Sequence, residues 1–186
     1  LGDVFPVEEA CRSGIEVFRR SNPDSHWLPD VMMTVANIVM TSGRLAAVES
    51  LIREAHAMLA KRDDPAGRMR SSQSLATILI DRGSFDEALS LLSEMRTLAE
   101  TINDKAALSS TLEKMSSVHL KRADLELAIE YGTEALALVR QHGTVRDVAA
   151  QLHCLANAYG GVNDTDTALE LYNEALKINE SIGNRQ

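Results

Sequence analysis

The chain repeats itself. The turn-like stretches Ser42-Gly43-Arg44-Leu45, Arg82-Gly83-Ser84-Phe85, Arg122-Ala123-Asp124-Leu125 and Val162-Asn163-Asp164-Thr165 recur about every 40 residues, a period that belongs to stacked structural units. A second series of breakers, Asp63-Asp64, Asn103-Asp104, Gly143-Thr144 and Gly183-Asn184, lies between them in the same register. Two interleaved series mean two elements per repeat. Each element runs about 17 residues, too long for ordinary strands, and its apolar residues fall at helical spacing. Phe85, Ala88, Leu92, Met95, Ala99 and Ile102 form one such stripe, and Ala168, Tyr172, Ala175 and Ile182 form another. The expected fold class is all-α, built from antiparallel helical hairpins.

The starts and stops agree with that reading. Ser84 with Glu87 reads as a capping box, Asp64-Pro65 as an N-cap followed by a first-turn proline, and Asp124 and Thr144 as further caps. Gly43, Gly83, Gly143 and Gly183 are expected to stop helices. Four hairpins follow, over 29–62, 64–102, 104–142 and 144–183, in a single repeat domain spanning 1–186. The opening Gly2-Asp3-Val4-Phe5 with Glu8-Glu9-Ala10 echoes Gly83-Ser84-Phe85-Asp86-Glu87-Ala88. Residues 1–21 therefore read as the second helix of a preceding hairpin, and 21–29 as a longer connecting loop. Both ends fall inside the pattern, so the segment is expected to be excised from a longer protein and to self-associate through its cut ends.

Composition narrows the function classes. Aromatic residues make up only 4% of the 186, so aliphatic residues and alanine must supply the packing. The formal net charge of −8 argues against direct nucleic-acid binding, which needs clustered lysine and arginine. Arg62, Arg68 and Arg70 come nearest to a cluster, but Asp63 and Asp64 interrupt it. Cys11 and Cys154 have neither disulfide nor zinc spacing, which favours reduced thiols and a cytoplasmic setting. No apolar run reaches the length of a membrane span.

Within each period the residues resemble the tetratricopeptide repeat pattern of a small residue, an aromatic, a turn and two further alanine or aromatic positions. The last repeat carries it best, with Leu155-Ala156-Asn157-Ala158-Tyr159, Ala168, Tyr172 and Ala175. The second has Leu75-Ala76, Leu79, Gly83, Phe85, Ala88 and Leu92; the first has Val35-Ala36, Val39, Gly43, Val48, Ile52 and Ala55. The third has Met115-Ser116, His119, Ala128 and Ala135. The usual opening tryptophan is replaced by Met32, Ser72, Leu112 and Leu152, and Gly132 stands where a large side chain is common. The long period resembles that of kinesin light chains, MalT-like regulators, Rap-type peptide sensors and Pins-type scaffolds. The resemblance implies a right-handed α-α superhelix that binds a protein or peptide segment in its concave groove, as a scaffold or adaptor. The alternative it implies is the sensor arm of a larger transcription regulator or signalling enzyme, binding a peptide or small effector.

In such repeats the first helix of each hairpin lines the groove. The resemblance therefore points to Met33 and Asn37; Gln73, Thr77 and Asp81; Glu113, Ser117 and Lys121; and His153 and Asn157. Asn37 and Asn157 stand where related repeats hold a peptide backbone, a role suited to an amide that both donates and accepts. The paired basic residues with which some members clamp a carboxylate are replaced by Gln73, Glu113 and His153.

No enzyme chemistry is expected. His119 and His153 lie about six positions out of step on neighbouring first helices, roughly 9 Å along the axis, too far for one zinc ion. Glu113 and His153 are level and expected to face each other, as a contact and not a catalytic dyad. His119 reads as a core histidine in an aromatic's place. Met32, Met33, Met58, Met69, Met95 and Met115 read as helix core. No phosphate loop or nucleophile elbow is present, so no metal and no cofactor is expected.

Overall fold

The computed structural model describes residues 5–22, 25–40, 45–62 and 64–183. Among them run nine α-helices and no strand: α1 (Phe5–Ser21), α2 (Leu28–Met40), α3 (Leu45–Lys61), α4 (Pro65–Asp81), α5 (Phe85–Thr101), α6 (Lys105–Lys121), α7 (Leu125–His142), α8 (Val145–Gly161) and α9 (Thr165–Gly183). They divide into two compact units, Leu1–Arg82 and Gly83–Gln186.

The helix starts follow backbone geometry as much as residue type. Asp64 accepts from the Gly67 N–H at 2.8 Å and Asp104 from the Ala107 N–H at 3.0 Å, each with an extended backbone. Thr144 and Asp147 form a full capping box. Ser84 does not: its ψ is 61°, short of the extended values at Asp64, Asp104 and Thr144, and no side-chain cap bond forms. Asp124, with ψ 67°, fails to cap its helix in the same way, and its carboxylate lies beside His119 and Arg122 instead.

The helix stops differ from the all-glycine expectation. Gly83, Asn103, Ala123 and Asn163 all have left-handed backbones, with φ of 76°, 55°, 62° and 61°. After the last three, the following aspartate N–H returns to a carbonyl one turn back: Asp104 to Ala99, Asp124 to His119 and Asp164 to Tyr159. This is the Schellman closure, and asparagine or even alanine sustains it in place of glycine. Gly143 instead has φ −94° and ψ −179°. Gly183 is the last residue of α9, and Gly43 lies outside the described residues. Alanine in the left-handed region is strained by its Cβ. Ala123→Gly is therefore expected to stabilise the chain by about 0.5–1 kcal/mol, after allowing for the looser unfolded chain. The melting temperature should rise by about 1–4 °C; a fall would show that Ala123 is not held left-handed in solution.

In the first unit α2 packs between α1 and α3, and α3 against α4; in the second, consecutive helices from α5 to α9 pack together and α6 also touches α8. Close approach rests on small residues: Ala36, Ala76, Ser116 and Ala156 are all buried, as are Ala88, Ala128 and Ala168. The positions lacking the usual tryptophan, Met32, Ser72, Leu112 and Leu152, are buried too. Gly132 makes room for its neighbours. A Cβ there would lie 3.0 Å from Leu155 Cδ1 and 3.1 Å from Ser116 Oγ. Its carbonyl accepts a hydrogen bond from Gln151 Nε2 at 3.0 Å, which satisfies an amide that is only 2% exposed.

Ion pairs tie second helices to one another within each unit. Arg96 reaches Glu134 from α5 to α7, and Arg140 reaches Glu174 from α7 to α9. Arg19 of α1 reaches Glu54 of α3 in the same manner. Arg82 and Arg122, one residue past α4 and α6, pair with Glu49 and Asp86 on the preceding second helices. Burial alone would raise the Glu49 carboxyl, but hydrogen bonds from Arg53 and Arg82 outweigh it and hold the group below the usual carboxylate range. Of the interrupted basic cluster, Arg62 donates to the Ser25 and His26 carbonyls and Arg70 pairs with Asp30.

Candidate functional site

The first helices bring most of the expected groove residues to the surface. In the first unit Asn37, Gln73 and Asp81 are exposed and Thr77 is half-buried, with its hydroxyl donating to the Gln73 carbonyl of its own helix. Met33 is a correction: it is only 8% exposed. Because α2 packs against α1 as well as α3, its buried stripe is wide enough to take in both Met32 and Met33. In the second unit Glu113, Lys121, His153 and Asn157 are exposed and Ser117 is half-buried.

Their partners were less legible. The level pair Glu113 and His153 makes no hydrogen bond among the described residues. His153 lies edge-on to Tyr172 with ring centroids 5.2 Å apart. The Tyr172 hydroxyl donates to the Asn157 amide oxygen, so Asn157 offers a ligand chiefly its N–H groups. The sequence places Tyr172 in the α9 packing stripe and in the repeat pattern, but not beside the groove residues. Glu113 acts across the α6–α8 contact: burial first, and then the Glu113 charge, push the Cys154 thiol up. His119 is buried and stacks on Tyr131 at 5.4 Å, in the aromatic place expected of it.

A cavity of about 470 Å³ lies in the second unit, between the N-terminal halves of α6 and α8 and the last turn of α7. Its aliphatic lining comes from Ala106, Leu138, Val139 and Ala150, and Glu113 and Asp147 contribute carboxylates. The Thr144 backbone N–H and hydroxyl hold the Asp147 carboxyl below the ordinary range. Among the described residues no three His, Cys, Asp or Glu side chains gather in a way that could hold a metal ion, and no helix is long and apolar enough to cross a membrane.

Tetratricopeptide repeat models match residues 68–141 and 148–182, together more than half of the chain. The chain belongs to the tetratricopeptide repeat family. Its fold is the all-α helical-hairpin solenoid class of that family, as the solved structures agree. BtubC (BKLC) from P. vanneervenii is 16% identical, with 98% of this chain and 75% of that one covered and a TM-score of 0.83. A kinesin light chain candidate of Podosopora anserina, in a single-substitution form with nearly identical TPR-like repeats, is 17% identical over 100% of this chain and 90% of that one, at a TM-score of 0.82. A Rap protein complexed with Competence and Sporulation Factor is 15% identical, with a TM-score of 0.75; the tetratricopeptide repeats here cover 92% of their own length but half of that protein. At these identities the likeness is one of fold. Among curated proteins none matches the sequence.

Proposed function

We propose that this tetratricopeptide repeat chain is a protein- or peptide-binding module of scaffold or adaptor type, working through the exposed faces of its first helices. It is a cytoplasmic module with no catalytic role in this reading. What carries the proposal is the second unit, where Glu113, His153 and Asn157 stand exposed on adjoining first helices beside an open cavity. A partner segment laid there would meet mixed charge and amide N–H groups in place of a paired basic clamp. The Rap protein found with its bound factor supports a second reading of the same face, as the sensor arm of a larger regulator.

Site-resolved cross-linking tests the face. Photoreactive residues at Gln73, Glu113 and His153 should capture a partner, whereas the same residue at Glu94 or Glu130, exposed on second helices, should not. Equal capture from both sets would reject the first-helix face. The double change Asn37→Ala with Asn157→Ala should weaken the captured partner roughly tenfold, a loss typical of one or two hydrogen bonds. Its melting temperature should move by no more than about 2–4 °C, because both side chains are exposed.

A further inference from the structure

The cavity between α6 and α8 departs from the repeat around it. Of the described joints at residues 83, 103, 123, 143 and 163, the one at Gly143 alone lacks a left-handed backbone, and His142, Gly143 and Thr144 line this cavity. A side chain at Gly143 would come within 2.8 Å of the Val139 carbonyl oxygen, so the extended joint depends on glycine. Where one joint breaks a rule its neighbours keep, a local use for the altered shape is the natural place to look.

The charges are arranged unevenly. Lys105 opens α6 and, in the 40-residue register, matches Val145, two residues before Asp147. Lys105, His142 and Asp147 therefore share one end of the cavity. Glu113 lies about two turns further along α6, about 12 Å along the helix axis, and charges more than about 8 Å apart are largely screened at physiological salt. None of the described ion pairs in the second unit includes Glu113. Glu113 is exposed on α6 and itself lines the cavity. Aliphatic walls with an uncompensated carboxylate at the far end match a long cationic side chain, whose methylene stem seeks apolar surface while its head seeks an anion.

We infer that this cavity takes an arginine or lysine side chain from a bound protein segment, its stem against Leu138, Val139 and Ala150 and its charge on Glu113. The inference rests on the first-helix face being the binding surface and gives that surface a chemical preference. Its volume leaves room for the long side chain and part of the backbone that bears it.

The test uses the intact chain, nitrogen-15 labelled, titrated with the tripeptide acetyl-Leu-Arg-Leu-amide and with the same peptide carrying citrulline, which keeps the shape of arginine and removes its charge. The arginine peptide should shift the amide signals of Ser110, Glu113, Ala150 and Cys154 saturably, with a Kd on the order of 1 mM. The citrulline peptide should bind about fivefold more weakly, and Glu113→Gln should weaken the arginine peptide by about the same factor with its melting temperature unchanged. Equal binding of the two peptides, an unaffected Glu113→Gln variant, or shifts absent from these four residues would each overturn the assignment. If cross-linking from Gln73 and His153 persists while the cavity ignores the arginine peptide, the cavity's preference fails and the binding face stands. If the cross-linking itself fails, the face is at fault.

Discussion

Leu152→Ala is expected to be the most damaging of the conservative truncations in the second unit. Leu152 is fully buried, in one core with Leu136, Leu155 and Ala175, on a helix flanked by α7 and α9. Removing three buried carbons there loses transfer free energy and leaves a cavity that neighbours on two sides cannot close, at a cost of about 2–5 kcal/mol. The melting temperature should fall by roughly 5–20 °C. Leu176, which is 55% exposed on α9, supplies the control, because its truncation should change stability by less than about 0.5 kcal/mol. Since each repeat touches only its neighbours, lost hydrogen-exchange protection should concentrate in α7, α8 and α9. Equal melts for Leu152→Ala and Leu176→Ala would contradict the core described for this unit.

Gly132→Leu should destabilise by a different route. The glycine sits where α7 approaches both α6 and α8, and the first carbon of any side chain already meets Leu155 and Ser116 at 3.0 and 3.1 Å. Leucine adds three more carbons into the space of the Gln151 amide, pushing it from the Gly132 carbonyl and stranding a buried polar group. Overpacking alone costs about 1–3 kcal/mol. Gly132→Ala separates the two effects, because alanine gains about 1 kcal/mol of helix propensity against a modest squeeze and should come out near neutral. Denaturant midpoints of the three proteins decide the matter. A leucine variant as stable as the glycine parent would mean that α6 and α8 do not close over Gly132.

The helices were legible because the repeat supplies its own controls. A stripe such as Ala88, Leu92, Met95 and Ala99 is persuasive when the same spacing returns at Ala128, Ala135, Ala168 and Ala175, and every one of these residues is buried. The joints were less so. Ser84 and Glu87 carry the letters of a capping box, yet Ser84 takes a ψ of 61° and makes no side-chain cap bond. Ala123 gave no warning of a left-handed backbone, because a Schellman closure anchored by Asp124 can outweigh the strain of one Cβ. On the candidate face, helical spacing found the exposed residues but not their cross-helix partners. Met33 was misplaced because spacing on one helix cannot count how many neighbours that helix has. The Tyr172 bond to Asn157 and the cavity beside Glu113 depend on where separate helices meet, which the sequence of either helix does not contain.

The arginine bridges have a mechanical meaning for the second unit. Arg96 with Glu134 and Arg140 with Glu174 stitch α5 to α7 and α7 to α9, while the first helices α6 and α8 carry no such stitch among the described ion pairs. Each bridge is individually weak, yet together they act like a bookbinding: the spine keeps its spacing and the leaves can part. Adjustment to a partner would then be taken up by α6 and α8 spreading or closing. Salt, which screens the bridges, would loosen the spine first and make the pages harder to hold apart by a fixed amount.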